Sequence, residues 1–99
     1  MEISQFIKDD TCTLSLSGRL DTLTSPQLEE KLNEVFGKEY REVVIDLREL
    51  EYISSAGLRV LLYGQKNMPE KGKLIIRNAG DQIMEVFELT GFVDILTIE

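Results

Sequence analysis

Ninety-nine residues, 42% of them hydrophobic and 29% charged, make one domain with one core and exclude a disordered tail. A formal net charge of −7 argues against a nucleic-acid surface, which needs clustered Lys and Arg, and suits a basic protein partner. With no histidine and a single cysteine, Cys12, the chain cannot build a Cys/His dyad, a thiolate zinc site or an internal disulfide, and a reducing compartment is expected.

Residues 2–8 alternate loosely and read as a strand. Residues 11–17 alternate strictly and read as a half-buried strand, with Asp9-Asp10 as the hairpin turn between the two. Gly18 is expected to end this strand and residues 19–24 to form a loop. Ser25-Pro26 opens a helix, Ser as the cap and Pro at the first helical position. Leu28, Leu32, Val35 and Phe36 give it one apolar face, and Gly37 stops it.

Residues 43–45 with Leu47 form a near-continuous apolar run, the mark of a parallel strand covered on both faces. A second helix runs from Ser54 or Ser55 to Asn67, closed by Pro69. Leu74, Ile75 and Ile76 make another short strand. Asp81 opens a third helix ending near Thr90, with Ile83, Val86, Phe87 and Thr90 on one side and Gly91 as its stop. Residues 95–98 read as a last strand. The order β-β-α-β-α-β-α-β predicts an α/β fold: a mixed, mostly parallel sheet of four to five strands, an N-terminal β-hairpin and three main helices.

In such a sheet, function sits at the C-terminal ends of the parallel strands, where helices begin. Two segments meet that condition: residues 21–25, and Ser54-Ser55 at the head of the second helix. A serine there is small, accessible and surrounded by unpaired N–H groups, a favourable place for a phosphate, although Ser is also among the best helix caps. Along the second helix Leu58, Leu61 and Leu62 should face the sheet, with Gly57, Val60 and Gly64 as a flank of small residues. The remaining stripe holds Ser55, Arg59, Tyr63 and Lys66. Arg59 and Lys66 are either solvated charges or interface residues, and Tyr63 is either a half-buried ring or an interface anchor.

Catalysis is not expected. Histidine is absent, Asp9-Asp10 and Glu29-Glu30 lie in polar segments, and neither GxxxxGK[ST] nor GxGxxG occurs. No metal or cofactor is called for. No run of 18 apolar residues exists and the N-terminus lacks a basic and apolar signal segment, so a cytoplasmic chain with no membrane contact is expected.

Residues 52–62, Tyr-Ile-Ser-Ser-Ala-Gly-Leu-Arg-Val-Leu-Leu, resemble the signature of STAS domains of the anti-sigma factor antagonist family, aromatic-x-[D/S]-S-[S/T/A]-G-L-x-x-L. Residues 16–24 are similar to that family's L-x-G-x-[L/I/V]-D-x-x-[T/N] loop, and residues 86–92 to its V-F-x-[L/I/V]-[T/S]-G-[L/F] helix end. The resemblance spans the whole chain and implies a single STAS domain over residues 1–99. It implies a protein that, unphosphorylated, binds an anti-sigma factor serine kinase of the GHKL type and so frees a sigma factor. Phosphorylation of one serine at the head of the second helix ends that complex, and a PP2C-type phosphatase restores it.

The modified serine falls on Ser55, with Ser54 as the second choice, because here Ser54 stands where many members carry an aspartate. Partner-binding residues implied or placed nearby are Asp21, Thr22, Thr24, Ser25, Ser54, Gly57, Arg59 and Tyr63. Asp21 has a plainer reading as a turn aspartate bonding its own backbone. A monomer is expected in the free state. The alternative reading is a STAS scaffold or nucleotide-sensing module in another kinase–phosphatase circuit, a stressosome-like assembly or a transporter tail; a chain of 99 residues is expected to stand alone rather than as a tail.

Overall fold

The computed structural model describes residues 1–99. The elements are β1 (Glu2–Lys8), β2 (Thr11–Leu20), α1 (Ser25–Phe36), β3 (Glu42–Ile53), α2 (Ser55–Asn67), β4 (Lys73–Arg77) and α3 (Asp81–Thr90), followed by a 3₁₀ turn at Phe92–Asp94. The sheet order is β1-β2-β3-β4. β1 pairs antiparallel with β2, whereas β2–β3 and β3–β4 are parallel. The hairpin closes over Asp9-Asp10, with Asp9 in the left-handed region (φ 55°) that Asp tolerates better than most residues.

Strand alternation separates the two faces. Cys12, Leu14 and Leu16 of β2, Val43, Ile45 and Leu47 of β3, and Leu74 and Ile76 of β4 join Leu28 and Leu32 of α1, Leu58 and Leu61 of α2, and Ile83 and Phe87 of α3 in one core. The helices thus cover one face. On the opposite face the register aligns a row of Phe6, Thr13, Val44 and Ile75.

Both central strands outrun the sequence expectation. β2 does not end at Gly18 but passes through it, in the positive-φ region at 94°, and continues to Leu20. β3 extends past Leu47 to Ile53. The two extensions pair only with each other, with register slips between Ser15 and Ser17 and between Gly18 and Arg19. Those irregularities break the two-residue period, so Leu50 and Ile53 are buried at a spacing of three. A sequence read for strict alternation loses the strand at that point.

Two further expectations are corrected. Thr24 precedes the first turn of α1, so Ser25 is its first helical residue and Pro26 its second; Ser25 is not the cap. Residues 95–98 form no full strand. Ile98 makes a single parallel bridge to Ile76, and the preceding Phe92–Asp94 is a 3₁₀ turn begun by left-handed Gly91 (φ 80°). The tail is nonetheless fastened along β4, where Ile76 N–H donates to the Thr97 carbonyl and Glu99 N–H to the Ile76 carbonyl, both at 2.8 Å. The sheet therefore has four strands.

Candidate functional site at the head of the second helix

The extended ends of β2 and β3 set the site. Leu20 and Ile53 are register partners, and the Ser54 N–H donates to the Leu20 carbonyl at 2.9 Å. The loop after β2 and the start of α2 therefore leave the sheet side by side.

The loop is organised by Asp21. Its Oδ1 accepts from the N–H groups of Leu23 (3.0 Å) and Thr24 (3.1 Å). Its own N–H donates to Thr24 Oγ1 at 2.9 Å, and that hydroxyl donates to the Arg19 carbonyl at 2.8 Å. The N–H and hydroxyl of Ser25 both donate to the Asp21 carbonyl. The Thr24 N–H, above all, holds the Asp21 carboxyl below its ordinary value, helped by the Thr24 hydroxyl, the Leu23 N–H and the Arg19 guanidinium. So the plainer reading of Asp21 is realised: it is a turn aspartate, with Arg19 at 3.8 Å as its nearest cation. With the side chains of Asp21, Thr24 and Ser25 bonded within the loop, Leu23 is left in solvent, 89% exposed.

At the head of α2 the two serines divide. Ser54 has extended backbone (φ −97°, ψ 175°) and is the cap; its Oγ accepts from the Gly57 N–H at 3.3 Å and its carbonyl accepts from the Leu58 N–H at 2.9 Å. Ser55 is the first helical residue and is exposed. Its hydroxyl stands in solvent beside the N–H groups that a helix start leaves without intrahelical acceptors. Arg59, one turn further on, is exposed and has no carboxylate within 4.0 Å, all four ion pairs lying elsewhere. An open groove of about 370 Å³ separates Thr22, Ser25, Pro26 and Glu29 from Ala56, Arg59 and Val60, so the two segments do form one surface.

Not every expected contact residue reaches that surface. Gly57 is buried, because a Cβ built on it would lie 2.8 Å from Leu20 Cγ and 2.9 Å from both Ile53 Cγ1 and the Leu20 carbonyl oxygen. It lets the helix head sit on the β2 end; its side is closed to a partner. Ser25 is only 4% exposed and braces the loop from beneath. Tyr63 is half-buried and its hydroxyl donates to Asn33 Oδ1 on α1, so it ties two helices together rather than standing free on the stripe with Ser55, Arg59 and Lys66. Leu62 is half-buried as well, not fully inserted against the sheet. Exposed on the site are Thr22, Leu23, Ser55 and Arg59, with Asp21, Thr24 and Ser54 partly so.

Sequence reasoning missed Leu23 and the pair Arg19–Tyr52. The Arg19 guanidinium lies 4.1 Å from the centre of the Tyr52 ring, on the extension that alternation did not reveal. A leucine flanked by Thr22 and Thr24 in a polar loop was the available signal for the first.

The STAS domain model matches residues 3–99. The chain belongs to the STAS domain family. An anti-sigma-B factor antagonist of Listeria monocytogenes is 32% identical over 103 aligned residues, 100% of this chain and 90% of its own length. Among solved structures, an anti-sigma factor antagonist from Mycobacterium paratuberculosis superposes with a TM-score of 0.91 at 24% identity, over 98% of this chain and 83% of its own. The phosphorylated form of the Bacillus cell fate determinant SpoIIAA superposes at 0.74 with 17% identity, over 99% of this chain and 91% of its own. No helix of this STAS domain is long and apolar enough to cross a membrane.

Proposed function

We propose that this STAS domain is an anti-sigma factor antagonist whose binding is switched by phosphorylation at Ser55. The observation that carries the reading is the division of labour at the head of α2, where Ser54 takes the cap and leaves Ser55 exposed. The Listeria relative's name supports the antagonist role.

Unphosphorylated, the domain binds an anti-sigma serine kinase through Ser55, Arg59, Thr22 and the loop at residues 21–25, and the sigma factor is released. The kinase transfers a phosphoryl group to Ser55 Oγ. The product carries about −1.5 to −2 charge at a helix N-terminus, where an anion is stabilised by roughly 0.3–1 kcal/mol, and Arg59 at i+4 can pair with it. The fold therefore tolerates the modification while the partner surface must reject it by repulsion and desolvation. A PP2C-type phosphatase resets the switch.

The test is labelling by an anti-sigma serine kinase and ATP, read by mass spectrometry. Ser55→Ala abolishes the added phosphate, and Ser54→Ala, though less stable, still accepts it. Labelling of Ser55→Ala with none on Ser54→Ala would overturn the assignment.

A further inference from the structure

Independently of that switch, and against the monomer expected from the sequence, we propose that β1 is a docking edge for a second copy of this chain, giving a dimer with one continuous eight-stranded sheet.

β1 lies at the edge of the sheet, paired with β2 on one side only. Its outer side presents a row of unpaired backbone N–H and C=O groups seven residues long. Natural sheets blunt such edges with proline, bulges or central lysines. This strand has no proline, no break in its register with β2, and a lysine only at its last position. It also leaves large apolar groups in water: Phe6 is 65% and Ile7 47% exposed.

The strand Glu2-Ile3-Ser4-Gln5-Phe6-Ile7-Lys8 is complementary to itself when reversed. A two-fold axis through Gln5 sets Glu2 opposite Lys8 of the second copy, Ile3 opposite Ile7, and Ser4 opposite Phe6. Directly opposed residues of an antiparallel pair share a face. The Ile3–Ile7 pairs therefore fall on the helix side, where Ile3 already packs against the core and where a groove lined by Ile3, Gln27, Glu30, Lys31 and Glu34 runs along α1. Glu2 and Lys8 are absent from all four ion pairs of the single chain, so both are available. Sliding the register by two residues, to an axis through Ser4 or Phe6, loses both Glu2–Lys8 pairs. β1 supplies none of the residues that line the groove beside Arg59 at the head of α2.

Sedimentation equilibrium on the full chain, from about 10 μM to about 1 mM at low salt, reads the association of so small an interface. The expected result is a rise toward the mass of two chains. Glu2→Lys and Lys8→Glu should each weaken association by about tenfold or more, since each places two like-charged pairs across the axis, and the double exchange should restore it. Circular dichroism melts of the same variants confirm that each remains folded. Position is tested by cross-linking. Opposed Cα atoms in an antiparallel pair lie about 4.5–5.5 Å apart, within disulfide reach, so Gln5→Cys should oxidise to a covalent dimer and Ser4→Cys should not; Cys12 is buried and does not compete. A single-chain mass throughout, or dimerisation that the charge reversals leave untouched, overturns the proposal.

Discussion

At the scale of single residues, the site depends on two short side chains that organise backbone. Asp21 holds its loop with a depressed carboxyl, so its contribution to stability is present above the unfolded pKa and is lost as pH falls through the folded one. Asp21→Asn is therefore expected to lower the melting temperature near neutral pH, with the gap to the parent chain closing in acid; thermal melts across that range check it. Ser54→Ala removes the α2 cap at an expected cost of about 1 kcal/mol by denaturant unfolding. Tyr63→Phe should cost about 0.5–1.5 kcal/mol by the same measurement, because the lost bond ties α2 to Asn33 of α1. If Tyr63→Phe instead leaves stability unchanged and lowers partner affinity alone, Tyr63 is an interface anchor rather than a tie.

At the scale of elements, α2 is placed by its neighbours more than by its own propensity. Gly57 allows its first turn to lie on Leu20 and Ile53, and Gly64 allows its third to approach Leu74 and Leu32 within about 3 Å of where a Cβ would stand. Gly57→Ala should thus destabilise by about 1–3 kcal/mol, the range for overpacking a rigid contact, despite alanine's better helix propensity. Gly80, with nothing within 4 Å of a built Cβ, is the N-cap of α3, so Gly80→Ala should cost only the difference between Gly and Ala as a cap, with no overpacking. The sign of the change in a denaturant melt of Gly57→Ala decides whether close approach or propensity dominates. The loop at residues 21–25 belongs to the same unit, since Ser54 is bonded to Leu20 and the groove joins Thr22 to Arg59.

At the scale of the molecule, the proposed switch requires a fold that ignores the charge its partner feels. Ser55→Asp places a carboxylate at the head of α2 and is expected to melt within about 5 °C of the parent, on the order of 1 kcal/mol for this size. Its affinity for the kinase should fall by ~10²-fold, equivalent to nearly 3 kcal/mol, read by calorimetry or surface binding. A much lower melting temperature would make position 55 structural. Cys12 stands apart from this chemistry, because burial in the core pushes its thiol up and away from reactivity.

Local pattern settled much of this protein before any contact was known. Strict alternation in β2, the helical spacing of Leu28, Leu32 and Val35, and the paired serines opening α2 are each read within one element, where period and cap chemistry act over a few residues. The motif around Ser55 pointed to the candidate site for the same reason. What tertiary structure alone decided were features that two elements make together. The extensions of β2 and β3 exist because each supplies the other's ladder, with a bulge that erases the period. The tail at residues 95–98 is likewise held by another element, through its one bridge to Ile76 of β4. Whether Gly57, Ser25 and Tyr63 face a partner or one another was equally undetermined by spacing. It turned on which surfaces Leu20, the Asp21 carbonyl and Asn33 already occupied, contacts that join residues far apart in the chain.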